Sequence, residues 1–242
     1  MPLSTNIPNV KPIDAIEERK KLQTSFFRRL FITTWHGGKG IRKDIPFGHY
    51  MFSGPQGSGK TASMLWYYEF LTKKYTKRGY EVKHVFSNFG VFDNVDKLSL
   101  FPTIYRLAVK KDGTSRYKKD DKIINFILLD EFHSYFPKDF TTKEDRELIS
   151  LLISRFSQLR KAHLFILSTA QIYGSLDKRL REQCLYMVSS RKSKLSNHII
   201  SDFYKQEDIL CDELGRWSGI PSHVYSHGLP KHYYDTSRLV NS

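Results

Sequence analysis

Eight consecutive residues, Gly54-Pro55-Gln56-Gly57-Ser58-Gly59-Lys60-Thr61, fit the spacing GxxxxGK[ST]. That run can hold the phosphates of a nucleotide. Its glycines let backbone N–H groups converge on phosphate oxygens without Cβ obstruction. The ammonium of Lys60 suits the β- and γ-phosphates, and the hydroxyl of Thr61 suits Mg²⁺. The expected ATP cradle runs from Gly54 to Ala62. A second group closes "KIINFILLDE", where a near-continuous apolar run ends in Asp130 and Glu131. Asp130 is placed for the Mg²⁺ shell and Glu131 for polarising the attacking water. GTPases and small-molecule kinases generally lack that second acid, whereas ATPases that do mechanical work generally carry it. A third group is Gln171, which ends "LFILSTAQ" and can hydrogen-bond a γ-phosphate or the attacking water.

These residues need a scaffold that brings them to one edge. "HYMFS" (49–53) reads as a strand and 61–78 as a helix starting at the glycine loop, which adds its N-terminal dipole to the phosphate site. Gly79 ends that helix before a strand at 81–88. Residues 123–129 and 164–168 read as buried parallel strands. Between them, 144–162 reads as a long amphipathic helix with Leu148, Leu151, Leu152, Phe156 and Leu159 on its apolar arc. Arg155 falls inside that arc and needs a partner, reached by snorkelling or across a subunit boundary. Strands and helices in this order predict an α/β fold: a mostly parallel, doubly wound sheet of about five core strands with helices on both faces. Ligands of such sheets sit beyond the carboxyl ends of the strands.

The chain has 242 residues, 39 Lys and Arg against 25 acids, and a formal net charge of +14. That surplus favours a polyanion partner, either nucleic acid or an anionic membrane face. Two basic stretches stand out. One brings Lys73, Lys74, Lys77 and Arg78 to the end of the first helix, where they complement its dipole or touch DNA. The other, a hairpin or loop with an Asp112-Gly113 turn, carries Lys110, Lys111, Arg116, Lys118, Lys119 and Lys122, suited to sequence-independent contact with backbone phosphates. Two cysteines, Cys184 and Cys211, form no CxxC pair, which argues against a disulfide scaffold or zinc site. The histidines lack metal-ligand spacing, and no Ser-His-Asp or Cys-His constellation is legible. No signal peptide or membrane-length apolar run is present, so a soluble protein in a reducing compartment is expected. Residues 14–31 could form an amphipathic helix, and "LPKHYYDTSRLV" an edge strand or docking tail.

The succession GPQGSGKT, FILLDE, "QLRKAHLFILSTAQ" and "DKRLREQCLYMVSSRK" resembles the FtsK/HerA superfamily of DNA-pumping ATPases over residues 47–192. Within it the pattern is similar to viral genome-packaging ATPases and to Zot-like filamentous-phage assembly ATPases; the terminal "HYYDTSRLV" is similar to a short tail segment of such phage proteins. The resemblance implies a P-loop NTPase of the ASCE/RecA-like type, with residues 1–46 and 193–242 as extensions of the 47–192 core. It implies Mg²⁺-dependent ATP hydrolysis coupled to moving DNA, double-stranded and read without sequence preference, in the host cytoplasm or on the virion. The same resemblance implies a homo-oligomeric ring, commonly of six subunits, working at a capsid vertex or with membrane proteins. An arginine from the next subunit would then face the transferring phosphoryl group, with Arg160, Arg181 and Arg155 as candidates. Gln171 would couple the γ-phosphate to adjacent DNA-facing loops. The alternatives are a Zot-like assembly ATPase that drives virion extrusion at a membrane and a non-translocating regulatory P-loop protein.

Overall fold

Strands covered on both faces can be apolar at every position, and three segments meet that condition. β1 (Gly48–Ser53), β4 (Ile123–Leu129) and β5 (Leu164–Ala170) are buried over nearly their whole length. The computed structural model describes residues 45–118, 120–136, 142–156, 159–193, 198–211, 217–219 and 221–230. The helix expected over 14–31 and the tail beyond residue 230 lie outside the described residues.

Around those three strands lie β2 (Glu81–Ser87), β3 (Asp93–Asn94), β6 (Cys184–Lys192), β7 (Ile199–Lys205) and β10 (His223–His227). The sheet order is β10-β7-β6-β1-β5-β4-β2-β3. From β6 to β3 all neighbours pair in parallel; β7 and β10 add antiparallel pairs at one end. The sheet is therefore wider than five strands, with β7 and β10 of the C-terminal extension continuing it beyond β6. A separate two-stranded ribbon joins β8 (Leu210–Cys211) to β9 (Trp217–Ser218).

Alternation along the strands divides the core in two. Phe126, Leu128, Phe165 and Leu167 face helix α1 (Lys60–Thr76), packing with Met64, Leu65, Tyr67, Tyr68 and Leu71. Ile127, Leu129 and Ile166 face the other side, against α2 (Lys97–Ala108), α3 (Phe132–Tyr135), α4 (Lys143–Phe156) and α5 (Lys178–Glu182). Helices thus lie on both faces, as the pattern of elements predicts.

Helix α4 is described over Lys143–Phe156, and turns at 159–163 show that it does not reach Ala162, the end expected from its periodicity. The chain must reverse within a few residues to enter β5, and turns over 159–163 do this. His163 takes a left-handed conformation, φ 48°, and is held there from several sides. Its Nδ1 meets the Ile123 carbonyl oxygen at 3.1 Å, its own carbonyl accepts from Asn125 N at 2.9 Å, and its ring stacks on Phe47. Arg155 settles inside its own chain, its guanidinium 4.8 Å from the centroid of the Tyr105 ring on α2.

Behind the site, the buried His49 of β1 meets Ser168 Oγ of β5 at 2.6 Å and Cys184 Sγ of β6 at 3.2 Å. Burial keeps this imidazole neutral and pushes its pKa down to about 3. The same burial pushes the Cys184 thiol well up, so the group ties three strands together without a charge.

Candidate nucleotide site

The loop between β1 and α1 has backbone angles that only glycine adopts cheaply: φ is 75° at Gly57 and 90° at Gly59. A Cβ on Gly59 would stand 2.9 Å from Ile199 Cδ1, and one on Gly54 would stand 2.9 Å from the Ser190 carbonyl oxygen. Strands β6 and β7 therefore back the loop closely. Helix α1 begins with no side-chain cap and no acid in its first turn, so its leading N–H groups keep their positive dipole for an incoming anion. Ser58 Oγ is buried and has no hydrogen-bond partner among the described residues. A buried hydroxyl and uncapped amides facing one loop are the donor set a phosphate requires.

Strand β4 delivers the acids beside this loop. Thr61 Oγ1 donates to Asp130 Oδ1 at 3.0 Å, and Thr169 Oγ1 donates to the same oxygen. Thr169 also accepts from the Glu131 amide at 2.9 Å. Asn88, just past β2, grips the Asp130 backbone twice. Its Oδ1 accepts from the Asp130 amide at 2.8 Å, and its Nδ2 donates to the Asp130 carbonyl at 2.9 Å. Asp130 is thus fixed from both neighbouring strands and faces the Thr61 hydroxyl.

Glu131 sits at φ 51° and ψ 43°, a left-handed conformation that costs a glutamate on the order of 1–3 kcal/mol. Ser134 stabilises it by donating from its amide at 2.8 Å and its hydroxyl at 2.7 Å to the Glu131 carbonyl. The Glu131 carboxylate meets three groups: Lys60 Nζ at 3.4 Å, Gln171 Nε2 at 3.3 Å and His133 Nε2 at 3.3 Å. Lys60 is buried while the Glu131 side chain is 37% exposed, so the carboxylate can turn toward solvent and the lysine cannot. With this pair closed, Lys60 is committed to Glu131. An arriving phosphate would have to draw the ammonium away and leave the carboxylate facing the water side.

The structure brings together Gly54 to Ala62, Lys60, Thr61, Asp130, Glu131 and Gln171 on the carboxyl edge of the sheet. Thr61 and Asp130 are the pair that could hold Mg²⁺, which keeps several waters and takes few protein ligands. Two arginine candidates are not part of that cluster. Arg160 is exposed in the turn before β5, a seven-residue strand, or about 20 Å, away from the loop. Arg181 is half-buried on α5, its guanidinium 5.2 Å from the centroid of the Tyr173 ring. The basic hairpin also lies on the far edge. It follows α2 and precedes β4, with Val109 bridged to Ser115 and Gly113 at φ 82°. Strand polarity puts this hairpin and Gln171 at opposite ends of the sheet. Sequence reasoning missed Asn88, Thr169 and His133. Asn88 ends "VFSN" at a strand's carboxyl end, the position where ligands gather in such sheets.

The fold is the α/β P-loop fold. Among solved structures, the chain is similar to the N-terminal domain of zonular occludens toxin from Neisseria meningitidis, at 15% identity and a TM-score of 0.45, over 77% of this chain and 96% of that one. It is also similar to the genome packaging NTPase B204 from Sulfolobus turreted icosahedral virus 2 in complex with ATP-gammaS, at 11% identity and a TM-score of 0.42, over 74% and 99%. A third is C. elegans PCH-2, at 20% identity and a TM-score of 0.38, over 59% and 35%. The likeness is one of fold alone. No protein-family model matches the chain, and no curated protein matches it in sequence. No helix among the described residues is long and apolar enough to cross a membrane.

Proposed function

We propose that the chain hydrolyses ATP with Mg²⁺ and uses the energy to move DNA, as a viral genome-packaging ATPase would. The observation that carries the reading is the meeting of Lys60, Thr61, Asp130, Glu131 and Gln171 at one glycine loop. The loop amides and Lys60 would bind the β- and γ-phosphates, with Thr61 and Asp130 holding the metal. Bound there, Mg²⁺ would neutralise charge building on the phosphate oxygens. Glu131, released from Lys60, would take a proton from a water attacking the γ-phosphorus as the bond to the β–γ bridging oxygen breaks. Gln171 would orient that water, and Asn88 and Thr169 would keep Asp130 from drifting.

The net charge of +14 supports a polyanion as the object moved. A ring of copies would let Arg160 or Arg181 of one subunit face the nucleotide of the next. Arg160 is the more accessible of the two.

ATP turnover measured with and without double-stranded DNA tests the coupling. Turnover should rise several-fold with DNA, and the rise should vanish steeply as salt is added. Hydrolysis indifferent to DNA but raised by anionic vesicles would replace this reading with export at a membrane.

A further inference from the structure

Glu131 offers its two carboxylate oxygens to different groups. Oε1 meets Lys60 Nζ at 3.4 Å. Oε2 accepts from Gln171 Nε2 at 3.3 Å and meets His133 Nε2 at 3.3 Å. Two of these three groups have another task once a nucleotide arrives: Lys60 turns to the phosphates and Gln171 to the attacking water. A base must nevertheless stay within hydrogen-bond reach of the proton it takes. The Glu131 side chain is 37% exposed, and a glutamate that loses its partners has several staggered rotamers to choose from. Something has to keep it aimed.

His133 is placed to do so. It lies on α3, a single helical turn pinned at both ends by the fully buried Phe132 and Phe136. Tyr135 of the same turn accepts at its hydroxyl from Asn88 Nδ2 at 3.3 Å, and Asn88 also grips the Asp130 backbone. The turn and the acid expected to hold the metal thus share one anchor. The His133 ring is half-buried. Its Nδ1 is buried and has no hydrogen-bond partner among the described residues, whereas Nε2 faces the carboxylate. Nε2 is the nitrogen with an acceptor, so the proton of the neutral ring belongs there. A contact of 3.3 Å is long, but hydrogen bonds to reacting groups commonly tighten when substrate binds. Holding the turn does not account for the residue. The Ser134 amide and hydroxyl already secure the Glu131 carbonyl and its left-handed backbone.

We propose that His133 is the positioning residue for Glu131, its Nε2–H holding Oε2 while Lys60 and Gln171 turn to the nucleotide and the water, so that Oε1 is left to accept the proton. The inference rests on the hydrolytic reading of Glu131 and adds what keeps that carboxylate in place.

The test is steady-state ATP turnover of the full chain without DNA, which keeps it independent of what the protein moves. His133→Phe retains a ring of similar size and removes the donor. Its kcat should fall about 10–100-fold with KM for ATP unchanged, as when a support of a reacting group is lost. His133→Gln, whose side-chain amide can donate from the place of Nε2, should recover most of that loss. In the Glu131→Gln background, adding His133→Phe should cost nothing further, because the group it positions is gone. Melting temperatures check that each variant folds. Native kcat in His133→Phe, or a Gln variant as slow as the Phe variant, would overturn the positioning role while leaving Glu131 as the base. A raised KM at constant kcat would overturn it too and assign His133 to nucleotide binding, and an undiminished further loss in the double variant would show that it acts elsewhere. Native turnover in Glu131→Gln alone would remove the hydrolytic reading of that residue, and the positioning role with it.

Discussion

Lowering the pH from 7.5 to 5.0 should destabilise the protein through His49 alone by about 2 kcal/mol. The imidazole is fully buried, and burial pulls its pKa from 6.5 in the unfolded chain to about 3 in the fold. A group with a depressed folded pKa that must stay neutral contributes fully above the unfolded value and progressively less below it. Each pH unit below 6.5 then costs about 1.4 kcal/mol until the folded value is reached. At pH 5.0 that amounts to about 2 kcal/mol, or a fall of about 4–8 °C in melting temperature for a chain of this size. His84 and His227 are also pulled down by burial and add to the slope in the same sense. The informative quantity is therefore the difference between the native protein and His49→Gln, which can still hydrogen-bond Ser168 and Cys184 but cannot titrate. Thermal melts of both at the two pH values should show the variant losing less stability by about 2 kcal/mol. Equal losses in the two proteins would refute the claim that His49 is held neutral between β1, β5 and β6.

Other predictions concern the site itself. Gly59→Ala places a Cβ 2.9 Å from Ile199 Cδ1 at φ 90°, whereas Gly57→Ala meets nothing within 4 Å. Both carry about 1–2 kcal/mol of left-handed strain, but only Gly59→Ala also crowds the Ile199 side chain of β7. It should weaken binding of a fluorescent ATP analogue clearly more than Gly57→Ala, and equal weakening would contradict the packing. Asn88→Ala removes both hydrogen bonds that hold the Asp130 backbone. Steady-state turnover should fall about 10–100-fold, as when an outer support of a metal ligand is lost. Native turnover in that variant would show that Asp130 holds itself in place.

Legibility in the sequence followed how local each pattern is. The Gly54–Thr61 spacing and the acids after "FILL" are contiguous, and each carries its own chemistry, so strand, loop and helix could be read together. Asn88, just past β2, and Thr169, in β5, are single polar residues far apart in the sequence. They meet Asp130 only because β4 lies between β2 and β5, and side-chain periodicity does not rank strand order. The basic segment was legible as a hairpin or loop from its Asp112-Gly113 turn. Its distance from Gln171 was not, since that depends on which end of a parallel strand each loop joins. The shortening of α4 was hidden because Leu159 continues the apolar spacing after the helix has ended; it is buried in the turn instead.

The account stands most directly on Glu131 as the group that activates water while Lys60 and the loop bind the nucleotide. Turnover and ATP binding measured side by side on Glu131→Gln test this. Binding should match or exceed that of the native protein, because Lys60 loses its ionic partner at 3.4 Å, and turnover should drop about 10²–10⁴-fold. Turnover at the native rate, or loss of ATP binding together with turnover, would contradict the assignment.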